Sequence, residues 1–312
     1  MKKRICSMLL AALTAVSLTA CGGTTDEQQA AGSTDGGKQK IEFWMLPVID
    51  EADTQEMVDA FNAQSETTEV ELTMLDWSSG REQIKQAVAS GAGPDVFYIG
   101  AGLDIAYIDG GLLLPLDEHG YSEEDIGKYT DLIEGNMVDG HLLAAPITYE
   151  NYVLYYRTDV LEQFGFDAPP TTWEELKSMA KTITEGSNGE IMGFQFKGAD
   201  DQLNAINYSW QTLLAQNGGQ LMDLETMQST ENTPEAQEAL EYMKSFYTEG
   251  ISTMGTSSNN GFREGKVAMY MFTNGPMTSE GFVDDQNMER KWAIAASPAG
   301  PDNAGGYLGG HA

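Results

Sequence analysis

Thiols, imidazoles and carboxylates are the side chains of this 312-residue chain that chemistry would draw on, and their spacing narrows what that chemistry is. The two cysteines are Cys6 and Cys21. Cys21 falls in Leu18-Thr19-Ala20-Cys21-Gly22, behind a basic start, Met1-Lys2-Lys3-Arg4, and a run from 5 to 20 that is apolar or small and uncharged. A basic n-region, an apolar h-region and small residues at a cut are the three parts of a secretory signal. A cysteine at the cut resembles a bacterial lipobox, in which the thiol is lipidated (palmitate is the expected modification) and the signal, here 1–20, is removed just before it. The run is shorter than the roughly 20 apolar residues of a spanning helix and contains Ser and Thr. Cys6 leaves with the signal and Cys21 is consumed, so the folded part is expected to hold no disulfide and no thiolate metal site. His119, His141 and His311 are scattered, without His-x-x-x-His spacing, which argues against a zinc enzyme. Neither a metal nor a cofactor is expected, and nothing resembles a Gly-x-x-x-x-Gly-Lys-Ser/Thr phosphate loop.

Recognition is the other use of such residues. Folds of the α/β class place ligands at the carboxyl ends of parallel strands, so aromatic and carboxylate residues just past strands are the candidates. Trp44 ends the first strand. Tyr98 and Asp104 flank Gly100-Ala101-Gly102, where missing side chains let the backbone approach something closely. Asp95 reads as a turn-stabilising carboxylate. Tyr155-Tyr156 lies inside a strand, where alternation sends the two rings to opposite faces, so packing is their expected use. Hydrolysis of a glycosidic bond would need a carboxylate pair, but 48 acidic residues supply a pair anywhere and select nothing.

The net charge is −31, and loss of the three basic residues of 1–20 takes the mature chain to −34. Phosphate backbones attract basic surfaces, so nucleic acid is excluded as an expected partner. Adhesion to an anionic membrane surface is unfavourable without help, which gives a covalent lipid tether a purpose. Acidity on this scale mildly disfavours anionic ligands and permits neutral or cationic ones.

Residues 21–40 have no core-forming pattern and read as a flexible linker after lipidated Cys21. Strands are predicted at 41–45, 70–75 and 96–99. Between them lie a helix capped by Asp53 or Thr54, with Met57, Val58 and Phe61 on one face, and a helix with Ile84, Ala87 and Val88, stopped by Gly91 and Pro94. Strand, helix, strand, helix, strand is the pattern of a parallel sheet with covering helices. The grammar restarts with a strand at 152–156. Thr172 and Glu175 have capping-box spacing before a helix whose stripe is Trp173, Leu176, Ala180 and Ile183. Thr233-Pro234 opens another helix, with Ala236, Leu240, Met243 and Tyr247 on its buried face and Gly250 at its end. A buried strand covers 267–272. Two α/β units are expected in one chain.

Several stretches, in order, resemble the extracellular solute-binding proteins of ABC transporters, in the carbohydrate-binding group that includes maltose-binding protein. They are Ala-Val-Ala-Ser-Gly-Ala-Gly-Pro-Asp-Val-Phe at 87–97, Gly-Leu-Leu-Leu-Pro-Leu-Asp at 111–117, Leu-Ala-Ala-Pro at 143–146, Tyr-Tyr-Arg-Thr-Asp-Val-Leu at 155–161, Pro-Thr-Thr-Trp-Glu-Glu-Leu at 170–176, and Phe-Arg-Glu-Gly-Lys-Val-Ala-Met at 262–269 leading into Asn274-Gly275-Pro276. The resemblance covers residues 41 to 312. It implies a periplasmic-binding-protein-like α/β fold of two discontinuous domains with a hinge: 41–149 with 297–312 as the N-terminal lobe, and 150–296 as the second. The chain would cross near Tyr149-Glu150-Asn151 and return near Ala295 to Pro298. Family members continue past the point matching Gly309-Gly310, so the C-terminal remainder of the second lobe is expected to be missing here.

The resemblance also implies site residues. Glu150 matches an acid at the domain crossing. Tyr208 falls on an aromatic position of the second lobe, with Trp210 beside it. Asn274 lies in the matching Asn-Gly-Pro, where Met277 replaces a stacking Trp. With Trp44, Tyr98 and Asp104 these make the expected ligand-binding set, and no catalytic residue is expected. The implied protein is a monomeric lipoprotein, anchored outside the cytoplasm on the cell membrane. It captures a sugar or oligosaccharide between two lobes and passes it unaltered to ABC permease subunits. A polyamine or other small cation is the alternative ligand on the same fold, and a secreted glycosidase is the alternative of another class.

Overall fold

The computed structural model describes residues 37–98, 105–128, 131–197, 205–223, 226, 228–254, 257–273, 275–277, 282–303, 305 and 308–311. Cys21, Asp104 and Asn274, and the signal segment, lie outside the described residues.

The first part of the chain builds a parallel sheet. In it are β1 (Gln39–Met45), α1 (Glu51–Gln64), β2 (Thr68–Met74), α2 (Gly80–Ala89) and β3 (Val96–Phe97). The strand order is β2-β1-β3 with both pairings parallel, as the alternating elements require. Asp95 serves the turn into β3, its carboxylate accepting the Glu42 N–H at 2.9 Å. Helix α1 starts earlier than predicted. Asp50, not Asp53 or Thr54, is the cap, and its carboxylate accepts the Ala52 N–H at 2.9 Å. The predicted stripe splits as well. Thr54 and Val58 turn inward, one helical turn apart, while Met57 and Phe61 are 53% and 47% exposed. The reason is local: α1 rests on the sheet along its 54–58 line, and Met57 and Phe61 form the next ridge over.

Short elements follow: α3 (Ile105–Asp109), α4 (Glu123–Ile126), and the hairpin of β4 (Met137–Val138) with β5 (His141–Leu142). Asp117 ties this hairpin down, its carboxylate accepting the Leu142 N–H at 2.9 Å and contacting His141 Nδ1 at 3.0 Å. Then β6 (Thr148–Asn151) runs through Tyr152 into β7 (Val153–Arg157), followed by α5 (Thr158–Gln163), α6 (Trp173–Gly186) and α7 (Ala205–Gln216). The hairpin of β8 (Met222–Asp223) with β9 (Gln228–Ser229), then α8 (Pro234–Thr248), α9 (Ser258–Arg263), β10 (Met269–Phe272), β11 (Trp292–Ala296) and β12 (Leu308–His311) complete the order.

The second sheet differs from the first. Strand β7 is its centre, and β10 and β11 pair with it antiparallel. The partners come from more than a hundred residues downstream, so the direction of pairing could not be read from local pattern. A large aromatic core backs this sheet. Tyr155 is fully buried, stacked on Tyr270 at 4.9 Å and on Trp292 at 6.0 Å, and its hydroxyl donates to the Thr273 carbonyl. Phe262 stacks on Phe282 at 5.7 Å beside them.

The helix signals of this half are realised by local chemistry. Thr172 accepts the Glu175 N–H at 3.2 Å, and Glu175 reaches back to the N–H and hydroxyl of Thr171, both at 2.7 Å. Those bonds hold the Glu175 carboxyl below its ordinary range. Trp173, Leu176, Ala180 and Ile183 are buried together. Helix α8 opens on Thr233 and Pro234 as predicted, but its buried line is Ala236, Ala239, Met243 and Phe246. Leu240 is 54% exposed, because the i, i+3, i+7 line that meets the core passes through 239 and 246 instead.

The chain near residue 150 lies beside two later segments. Strand β12 pairs antiparallel with β6, with Gly309 opposite Glu150, and the Ser297 hydroxyl donates to the Tyr152 carbonyl at 2.7 Å.

Candidate functional site

The site is built outward from Tyr98, which follows β3 at its carboxyl end and is 3% exposed. Its ring meets Trp77 edge to face, centroids 6.0 Å apart and planes at 86°. Trp77 lies in the turn leaving β2, and the Arg81 guanidinium carbon sits 5.5 Å from its ring centroid. Burial pushes the Tyr98 hydroxyl well above the ordinary tyrosine range. The charge and hydrogen bond of Arg81 oppose that rise, and Glu150 and Tyr208 reinforce it. Residues from the start of α2, strand β6 and helix α7 therefore influence one phenolic oxygen at the end of β3.

The turn that presents Trp77 and Arg81 is shaped by two residues. Asp76 accepts from the backbone N–H groups of Ser78 and Ser79 at 2.9 and 3.2 Å, and from both serine hydroxyls. Those bonds, Ser78 foremost, hold its carboxyl low. Gly80 then opens α2 hard against the first core. A Cβ there would lie 2.4 Å from Leu46 Cδ2 and 2.8 Å from Leu75 Cβ, so only glycine allows the helix to start this close.

The opposite wall continues from Tyr208. Its neighbour Ser209 shares a 2.7 Å hydrogen bond with the Tyr152 hydroxyl. Burial raises the Tyr152 phenol, the Ser209 bond opposes this, and Tyr208 adds to it. Tyr152 meets Phe272 edge on at 6.2 Å, and Lys197, 1% exposed, holds its ammonium 3.9 Å from the Phe272 ring centroid.

Of the sequence-predicted residues, Tyr98, Glu150 and Tyr208 are brought together. Trp44 is half-buried within β1; its carbonyl accepts the Tyr98 N–H at 2.9 Å, but among the described residues no ring contact ties it to the cluster. Trp210 follows Tyr208 by two residues, about 200° around the helix. It packs against the second core with its indole N–H buried and unpartnered among the described residues. Met277 is partly buried against the same core. Trp77 and Arg81 were missed. The signal was available, since Trp77 follows a predicted strand just as Trp44 and Tyr98 do. A groove of about 680 Å³ at the start of α6, lined by Phe166, Pro170, Thr171, Glu175 and Met179 among others, shares no residue with this cluster. Among the described residues, no group of three or more His, Cys, Asp or Glu could hold a metal ion, and no helix is long and apolar enough to cross a membrane.

Comparison with known proteins adds the wider frame. Residues 56–312 match the family described as bacterial extracellular solute-binding protein. A binding protein of Brucella abortus is 26% identical over 295 residues, covering 89% of this chain and 67% of its own length. The galactooligosaccharide-binding protein of Bacillus subtilis is 25% identical over 299 residues, 90% of this chain and 65% of the relative. The chain thus spans about two thirds of these relatives. Among solved structures, the GacH receptor of Streptomyces glaucescens, determined unliganded and with acarbose, superposes with a TM-score of 0.77 at 21% identity, covering 88% of this chain and 70% of the receptor. That likeness makes the fold a two-domain α/β periplasmic-binding-protein fold.

Proposed function

We propose, for a chain that belongs to the bacterial extracellular solute-binding protein family, that it captures a sugar or oligosaccharide between two lobes and delivers it to the permease of an ABC importer. The family places it outside the cytoplasm, and the family's description as binding proteins supports capture as its task. We assign the lobes as 41–149 with 297–312, and 150–296. The adjacency of β6 with β12 and of Ser297 with Tyr152 supports hinge crossings at those points. Residues 21–40 are the spacer to a lipid on Cys21.

The observation that carries the reading is the aromatic pair of Trp77 and Tyr98 past the carboxyl ends of β2 and β3, with Glu150 and Tyr208 near enough to raise the Tyr98 hydroxyl. Sugars present hydroxyls, which carboxylates and phenols hydrogen-bond, and C–H faces, which lie on aromatic rings. A ligand seated there touches both lobes, and only a closed form supplies both sets of contacts, so ligand shifts the population toward closure. Micromolar affinity needs only about 8 kcal/mol. A polyamine fits less well, since the guanidinium of Arg81 stands in the cluster and repels cations. A glycosidase would need two carboxylates flanking one bond, and among the described residues Glu150 is the carboxylate that acts on Tyr98.

Calorimetric titration of a saccharide panel against wild type and the double variant Glu150→Ala with Tyr208→Ala tests this. The double variant is expected to lose measurable binding while keeping its thermal transition. Unchanged affinity would remove the assignment of this site.

A further inference from the structure

We propose that Trp77 and Arg81 form a subsite for a sugar unit bearing a carboxylate, so that the solute is an acidic saccharide. The proposal rests on the saccharide reading above and narrows it.

The first observation is a cation that, among the described residues, has no carboxylate within ion-pairing distance, Glu150 being in the same cluster but not in contact with it. Arg157, Arg263 and Arg290 each have a carboxylate within ion-pairing distance, at 2.6, 3.5 and 3.7 Å. Among the described residues, none lies within 4.0 Å of Arg81. This holds in a chain with 48 acidic residues and 17 basic ones, where a neighbouring acid is easily found. The acids nearest in sequence face elsewhere. Asp76 is turned into its own loop by Ser78 and Ser79, and Glu82 accepts from Gln86 at 3.1 Å.

The second observation is placement. Arg81 is exposed but not loose: it stands over the Trp77 indole and is hydrogen-bonded to Tyr98. A guanidinium carries five N–H donors, and one phenolic oxygen cannot occupy them all. Its planar fork matches a carboxylate through two parallel bonds, a geometry that no single hydroxyl reproduces. Trp77 is 39% exposed, and its indole offers an apolar face to the C–H side of a pyranose. A uronic acid carries its carboxylate on the carbon next to that ring, so one sugar unit can serve both residues. Glu150 and Tyr208, in the same cluster, are acceptor and donor for hydroxyls.

The net charge of −31 repels anions at long range. That repulsion fades beyond a screening length of about 8 Å at physiological salt, whereas a paired contact at Arg81 acts at bonding distance. The acidic surface is therefore compatible with an anionic solute, provided a positioned cation stands at the site.

The test is calorimetric titration of the full chain with digalacturonate and with its fully methyl-esterified, uncharged counterpart, on wild type, R81Q and R81K, with maltotriose as a neutral control. Wild type is expected to prefer the acid by about tenfold or more. In R81Q the acid-to-ester affinity ratio should fall to about one, and R81K should recover part of it. Equal or tighter binding of the ester by wild type overturns the proposal, as does an R81Q ratio that matches wild type. If maltotriose binds and neither galacturonide does, the acidic subsite is refuted and the saccharide reading stands. If no saccharide binds at all, both fall. Coincident thermal transitions for the three proteins exclude misfolding as the cause.

Discussion

The two sheets of this molecule are held in different ways. The β2-β1-β3 sheet is backed by a small cluster, Met45, Leu46 and Tyr98, with half-buried neighbours such as Phe43, Leu72 and Leu75. The β10-β7-β11 sheet lies on a deep core in which Tyr155, Tyr270, Phe194, Phe196, Phe246 and Phe262 are all fully buried. Apolar burial stabilises in proportion to area, so the second region carries most of the folding free energy. The first carries two accessible side chains, Trp77 on a turn shaped by Asp76 and Arg81 in the first turn of α2 behind Gly80. A thinly backed region opens locally at lower cost than one with a deep core.

Core truncation should separate the two regions most sharply. Phe246→Ala removes a ring packed 5.2–5.3 Å from those of Tyr242, Phe194 and Phe196, and should cost about 3–5 kcal/mol in urea unfolding. Val58→Ala on α1 removes two methylene equivalents and should cost about 1.6 kcal/mol. Equal losses would erase the distinction. Next is Gly80→Ala, whose new methyl meets Leu46 and Leu75. Overpacking of this kind costs about 1–3 kcal/mol, and the displaced α2 should also weaken saccharide affinity in the same sample. Thr172→Ala, by contrast, should cost about 1 kcal/mol through loss of the α6 cap and leave affinity untouched.

The smallest effect belongs to His141. Its hydrogen bond to Asp117, aided by that carboxylate's charge, raises the imidazole above its ordinary value of 6.5. A raised value in the folded state means the contribution is complete below the unfolded value, near 6.5, and is lost as pH climbs through the folded one. NMR titration of the imidazole should show a midpoint above 6.5 that falls back in Asp117→Asn. No such difference would mean the pair is not formed in solution.

What the sequence made legible was whatever depends on neighbours. The caps at Thr172 and Thr233 follow from side-chain bonds to backbone three residues on, and the parallel β2-β1-β3 sheet follows from the strand–helix alternation. Strand β1, predicted at 41–45, extends back to Gln39 because Gln39 and Lys40 pair in register with Thr68 and Glu69 of β2. What depends on distant partners was not legible. The antiparallel pairing of β7 is one case, since nothing near 153–157 names 269–272 or 292–296. The outward turn of Leu240 is another, because 239 and 240 are equally good members of a helical stripe until the core position is known. At the site, Glu150 and Tyr208 came from family resemblance and Tyr98 from its place after a strand. Trp77 and Arg81 belong to no motif, and only the fold sets a cation over that ring.

In the ladder of β6 with β12, the residue opposite Glu150 is Gly309. Cross-strand neighbours usually brush against each other and restrict one another's rotamers. Glycine adds no such flank, so the rotamer of Glu150 is left to neighbours other than the residue across the ladder.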